Sequence, residues 1–121
     1  MFFKLRILWF FRQKSFIQLK FLDKNNVHVK DKITNIEFNI DRNHNKWVIY
    51  NRARFIYVND KTLNKAYSSY LHQQVVWDIR DYCDKILDLK RSDCTKYLVD
   101  NRSCHDALFA RFKEQYKHLI K

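Results

Sequence analysis

From Phe16 onward, apolar and polar residues alternate along the chain. Ile17, Leu19 and Phe21 share one side of an extended segment while Gln18 and Lys20 share the other, the period of a half-buried strand. The same period returns where Val27 and Val29 alternate with His28 and Lys30, and where Ile36, Phe38 and Ile40 alternate with Glu37, Asn39 and Asp41. Trp47 to Val58 is the longest strand the pattern predicts. Within it Trp47, Ile49, Ala53, Phe55 and Tyr57 fall on one face, and Tyr50, Arg52 and Arg54 on the other. Turns are predicted at Asp23 to Asn26, at Arg42 to Asn45 and at Asn59 to Asp60.

After Asp60 the spacing changes to three and four. Leu63, Tyr67, Leu71, Val75, Ile79, Tyr82 and Ile86 predict a helix over about 61–89, with Asn59 or Asp60 as its cap. Tyr70 and Trp77 add a second apolar strip, as in a helix held between two partners. Arg91 to Asp93 reads as a break, followed by a short helix over 94–99. Ser103 and Asp106 suggest a capping box for a last helix over 104–120. Leu108, Phe109, Phe112, Tyr116, Leu119 and Ile120 line one of its faces, and Lys113, Lys117 and Lys121 the opposite one. The expected fold is α+β in a single domain. An antiparallel β-meander over about residues 16–58 is followed by two or three helices and preceded by a basic arm, residues 1–15, either extended or amphipathic.

Composition sharpens this picture. The chain has 121 residues with no Gly and no Pro. Asn and Asp tolerate positive φ best among the remaining residues and also bond the local backbone. Asn25, Asn26, Asn43, Asn45, Asn59 and Asp60 are therefore expected to stand in for glycine. A Walker-type phosphate loop, a dinucleotide G-x-G-x-x-G turn and a G-x-S-x-G elbow all require glycine, so none can exist here. No catalytic activity, cofactor or small-molecule substrate is expected. Phe 10, Tyr 7 and abundant Ile, Asn and Lys, against Gly 0 and Pro 0, resemble the usage of proteins encoded in A/T-rich organelle DNA or in large DNA viruses.

Charge supplies the functional direction. Lys plus Arg number 24 against 13 Asp plus Glu, giving a net charge of +11, a field that favours polyanions. Tyr50, Arg52 and Arg54 interleave an aromatic ring with guanidinium groups, a combination suited to stacking on a base while pairing phosphates. Lys113, Lys117 and Lys121 are further phosphate candidates. So are Lys4, Arg6, Arg12 and Lys14 in MFFKLRILWFFRQKSF, which contains no acid before Asp23. That segment is Arg-rich and acid-poor like a mitochondrial targeting peptide, yet it holds one serine and a bulky run from Ile7 to Phe11. It is expected to remain attached in a chain made where it is used, the mitochondrial matrix. No uncharged run approaches the roughly 18 residues of a membrane span.

Other chemistry is weaker. Cys83, Cys94 and Cys104 make an odd count, which points to a reducing compartment. Their spacing to His105 and His118 lacks a zinc pattern. Asp78, Asp81, Asp84 and Asp88 lie among Arg80, Lys85 and Lys90 and read as a solvated ion-pair face. These features lead to one expectation: a non-catalytic structural component that binds rRNA and neighbouring subunits, an organelle-encoded ribosomal protein. Two alternatives share the same features. One is an accessory subunit of a respiratory membrane complex with its N-terminus on the lipid surface. The other is a small viral nucleic-acid-binding or host-interaction protein.

Overall fold

The computed structural model describes residues 2–88 and 90–119. Its elements are α1 (Phe2–Phe10), β1 (Ile17–Asp23), β2 (Asn26–Asp31), β3 (Glu37–Asn43), β4 (Lys46–Asn51) and β5 (Ile56–Asp60), then α2 (Leu63–Lys85), α3 (Arg91–Asp100), α4 (Arg102–Glu114) and a 3₁₀ turn, Lys117–Leu119. The class is α+β, with a five-stranded antiparallel meander in the order β1-β2-β3-β4-β5 and helices after it. The chain divides into two compact units, Met1–Tyr70 and Leu71–Lys121.

The first unit is built on one apolar sheet face. Phe21, Val27, Ile40, Ile49 and Val58 oppose one another in a row across all five strands. Leu19, Val29 and Phe38 form the next row. α1 and the first turns of α2 cover this face. Phe3 stacks on Trp47 with ring centroids 5.7 Å apart, and Phe10 and Phe11 meet Tyr67 edge-on at 5.1 and 5.6 Å. Tyr70 lies 4.8 Å from Phe38 and is fully buried. Each such side chain, like the buried Val27, Val29, Ile40 and Ile49 beside them, contributes roughly 1.5–3 kcal/mol on burial, so apolar packing on this face is a main stabilising term.

Of the two forms expected for the basic arm over 1–15, extended or amphipathic, Phe2–Phe10 is a helix, and it packs on its own sheet. Phe3, Ile7 and Phe11 recur every four residues and are all buried, so the sheet face supplies the partner that a helix needs. Two expectations are corrected in this unit. The long strand over 47–58 is two strands. It breaks after Asn51, where the Arg54 and Phe55 N–H groups donate to the carbonyls of Asn51 and Arg52 at 3.3 and 3.4 Å. Phe55, expected on one strand face with Trp47 and Ile49, sits in this turn at φ 56° and is 84% exposed.

The turns also use a wider set of residues than expected. Positive φ occurs at Asn35, His44, Phe55 and Asp88, and at none of Asn25, Asn26, Asn43, Asn45, Asn59 or Asp60. Aspartate carboxylates do part of the work instead. Asp23 Oδ1 accepts from the Asn25 N–H at 2.8 Å, and Asp31 Oδ1 from the Ile33 N–H at 3.0 Å. The Asp23 bond closes its turn without a left-handed residue, whereas the turn after Asp31 also uses Asn35 at φ 64°. The cap of α2 is Thr62 rather than Asn59 or Asp60: its Oγ1 accepts from the Lys65 N–H at 3.3 Å.

In the second unit, Leu71, Val75, Ile79 and Cys83 are buried at four-residue spacing along α2. α2 ends at Lys85, short of the expected 89, and Leu89 lies outside the described residues. Arg91 to Asp93 forms the first turn of α3 rather than a break, so that helix is longer than 94–99. The expected capping box is absent. Ser103 and Asp106 lie inside α4, whose N-cap is Asn101, and the Asn101 amide donates back to the Tyr97 carbonyl at 3.0 Å. α4 stops at Glu114 and the chain tightens into the 3₁₀ turn, where Leu119 is buried.

Candidate nucleic-acid interface

The second face of the meander presents a polar row. Lys20, His28, Asn39, Tyr50 and Tyr57 oppose one another strand by strand. They belong to the strand positions that alternate with the buried row, so the folding that makes the core also lines them up.

Hydrogen bonds tie this row together. His28 Nδ1 meets Asn39 Oδ1 at 3.0 Å and His28 Nε2 meets Glu37 Oε1 at 3.0 Å. Both ring nitrogens face side-chain oxygens, an arrangement that favours the imidazolium, in which both donate. The bond to Glu37 and then that to Asn39 raise the His28 pKa above 6.5, and the same pairing lowers that of Glu37. Asn39 Nδ2 donates to Asn26 Oδ1 at 3.3 Å, and Asn26 Nδ2 donates to the Tyr50 hydroxyl at 3.4 Å. Tyr50 is thereby held from its polar end. Tyr57 stacks on it with centroids 6.3 Å apart and planes 24° from parallel. Arg52 lies over the Tyr50 ring, its guanidinium carbon 5.5 Å from the centroid.

The β4–β5 turn closes one end of this surface. Tyr50, Arg52, Phe55 and Tyr57, with Asp41 and Val48, border an open concavity of about 570 Å³. Asp41 is half-buried, and desolvation followed by the nearby Asp23 raises its pKa above the usual carboxylate value. The arrangement offers two exposed ring faces, a guanidinium and a carboxylate acceptor within one hollow. Rings can stack on unpaired bases, the cation can meet a phosphate, and the carboxylate can accept from an amino group on a base edge.

Of the residues predicted from the pattern, Tyr50 and Arg52 come together here, and Arg54 lies in the same turn. Lys4, Arg6, Arg12 and Lys14 do not. Lys4 lies 5.3 Å from the Phe21 ring and Arg6 5.9 Å from Trp47, on the face of the sheet opposite Tyr50. Arg12 lies over Trp9 at 3.7 Å and Lys14 by Phe16 at 5.7 Å. Lys113 and Lys117 are exposed in the second unit, with Lys117 paired to Glu114 at 2.6 Å, and Lys121 lies outside the described residues. Tyr57, Phe55, His28 and Asn39 join the site although the strand pattern did not single them out. Reading a turn at Arg52 to Phe55 would have moved Tyr57 to the face of Tyr50.

Among the described residues, no group of three or more His, Cys, Asp or Glu is placed to hold a metal ion. Asp78, expected on a solvated ion-pair face, is buried and accepts a hydrogen bond from the Tyr116 hydroxyl. Comparison with known proteins finds no matching family model, no similar curated protein and no similar solved structure.

Proposed function

We propose that this chain is a non-catalytic RNA-binding structural component that holds unpaired RNA on the open face of its meander. The observation that carries the reading is the Tyr50–Tyr57 stack with Arg52 over it, at the end of a side-chain hydrogen-bonded network that runs across β2, β3 and β4. A stack anchored at one hydroxyl is pre-ordered, so little rotamer freedom is lost when a base lands on it. Lys20, Lys30, Arg52 and Arg54 would neutralise phosphates around the rings, and the net charge of +11 would draw the polyanion in. The composition and charge together favour an organelle-encoded ribosomal protein, with rRNA and neighbouring subunits as partners and the mitochondrial matrix as its location.

Fluorescence anisotropy with a single-stranded RNA oligomer tests this. Neutralising four phosphates gives a log–log salt slope of about −2.8. Tyr57→Ala should cost about 1–3 kcal/mol, the range for loss of one base–aromatic stack. Arg52→Ala with Arg54→Ala should weaken binding and flatten the slope while leaving the circular dichroism spectrum unchanged. A flat salt dependence, or wild-type affinity in both variants, would refute the proposal.

A further inference from the structure

We infer that α1 and the groove beside it form a docking site for anionic phospholipid, a surface separate from the sheet face and independent of the RNA reading. One side of α1 is buried through Phe3 and Ile7. The other side leaves Phe2 80%, Leu5 59%, Leu8 44% and Trp9 67% exposed, four large apolar groups on one stripe of a nine-residue helix. By the helical angle of 100° per residue, Lys4 and Arg6 stand on opposite borders between the buried side and this stripe. The first acidic residue in the chain is Asp23.

A second observation points to a phosphate. Arg6 and Arg42 approach the same Trp47 ring, at 5.9 and 4.6 Å from its centroid. Both line an open groove of about 500 Å³ that also includes Trp9 and Lys61 and has no acidic side chain in its lining. Arg42 Nη1 itself is buried without a hydrogen-bond partner. Asp60, opposite Trp47 on β5, accepts from the Lys61 backbone N–H at 2.7 Å. Arg6, Arg42 and Lys61 therefore give the groove a cationic wall with no carboxylate in its lining. A phosphodiester seated in the groove would meet these cations, because guanidinium binds its oxygen pair through parallel N–H bonds.

Trp9 belongs to both the stripe and the groove, so one ligand can fill both. A phospholipid surface offers acyl chains to Phe2, Leu5, Leu8 and Trp9, and a headgroup phosphate to Arg6, Arg42 and Lys61. RNA supplies the phosphate but nothing for two leucines. Among the described residues no helix is long and apolar enough to cross a membrane, so α1 would lie in the interface plane.

The full chain is mixed with vesicles of phosphatidylcholine alone, or of phosphatidylcholine with phosphatidylglycerol, and sedimented. Binding is expected only with the anionic lipid, accompanied by a blue shift of Trp9 emission that Trp9→Phe removes. Leu5→Glu, at an exposed position, should abolish sedimentation. Arg6→Gln should weaken it about fivefold, the loss expected per cation at an anionic surface. Soluble glycerol phosphate at high concentration should compete partly if the groove holds a headgroup phosphate, and should leave Tyr57→Ala and wild type equally bound to vesicles. Equal binding to neutral vesicles, no binding at all, or wild-type sedimentation of Arg6→Gln would overturn the assignment. So would loss of RNA affinity in Arg6→Gln without change in vesicle binding, since that would make the groove an RNA phosphate site.

Discussion

Tyr67 and Tyr70 stand one turn apart on α2, are both buried, and both pack on Phe38, yet removing their hydroxyls should have opposite effects. The Tyr67 hydroxyl is buried without a hydrogen-bond partner. Burial foremost, then Asp31 and Tyr70, push its pKa well above 10. Tyr67→Phe deletes an unpaired polar atom whose desolvation costs about 1–3 kcal/mol, offset in part by lost packing around one oxygen, so a gain of about 1 kcal/mol is expected. The Tyr70 hydroxyl instead accepts from Asn51 Nδ2 at 3.2 Å. Tyr70→Phe leaves that buried amide without an acceptor, at a cost of about 1–3 kcal/mol. Urea unfolding followed through Trp47, in a Trp9→Phe/Trp77→Phe background, reads the sheet directly. With a slope of about 2 kcal/mol per molar, the midpoint should rise by about 0.5 M in Tyr67→Phe and fall by about 0.5–1.5 M in Tyr70→Phe. The pH dependence adds a check. A phenol with a raised folded-state pKa favours the native state fully below pH 10 and loses that contribution as pH climbs beyond it, so Tyr67→Phe should unfold at a higher alkaline pH than wild type. Midpoints that move in the same direction would refute the reasoning. The outcome bears on the site, because Asn51 ends β4 and its carbonyl anchors the turn that carries Arg52 and Arg54.

Three further predictions follow from individual groups. A proton NMR titration should find the His28 pKa above 6.5 and Glu37→Gln should lower it; since the folded value is raised, the pairing contributes to stability below pH 6.5 and is lost as pH rises through the folded pKa, and a wild-type value at or below 6.5 would contradict the geometry. Cys83 is buried, and desolvation followed by the Cys94 thiol pushes its pKa up to about 12, so iodoacetamide at pH 8 should label it far more slowly in the native chain than in urea, and equal rates would refute this. Phe55 holds a left-handed conformation that costs a non-glycine residue about 1–2 kcal/mol, so Phe55→Gly should raise thermal stability while weakening RNA binding through the lost ring; a fall in stability would mean that the ring supports the turn.

The aromatic residue at a strained φ in the proposed site explains why the strand pattern failed there. Period-two alternation through Tyr50, Arg52 and Arg54 continues unbroken in the sequence, and Phe at 55 carries none of the usual marks of a left-handed turn residue. Nothing local announces the break. It arises because pairing Tyr50 with Tyr57 and Ile49 with Val58 buries Ile49 and Ile56, a gain that outweighs the strain at one exposed ring.

By itself the sequence determined the α+β class, the meander and most of the buried row, because alternation at two residues and recurrence at three or four are properties of single segments. It also determined the absence of glycine-dependent phosphate loops and the cationic excess. The tertiary structure alone decided which surfaces those cations occupy. Tyr57 reaches Tyr50 only through the β4–β5 register, Arg42 meets Arg6 only across Trp47, and α1 becomes a helix with one covered side only because the sheet offers it an apolar face. Each of these depends on contacts between residues distant along the chain, whose energies no segment contains.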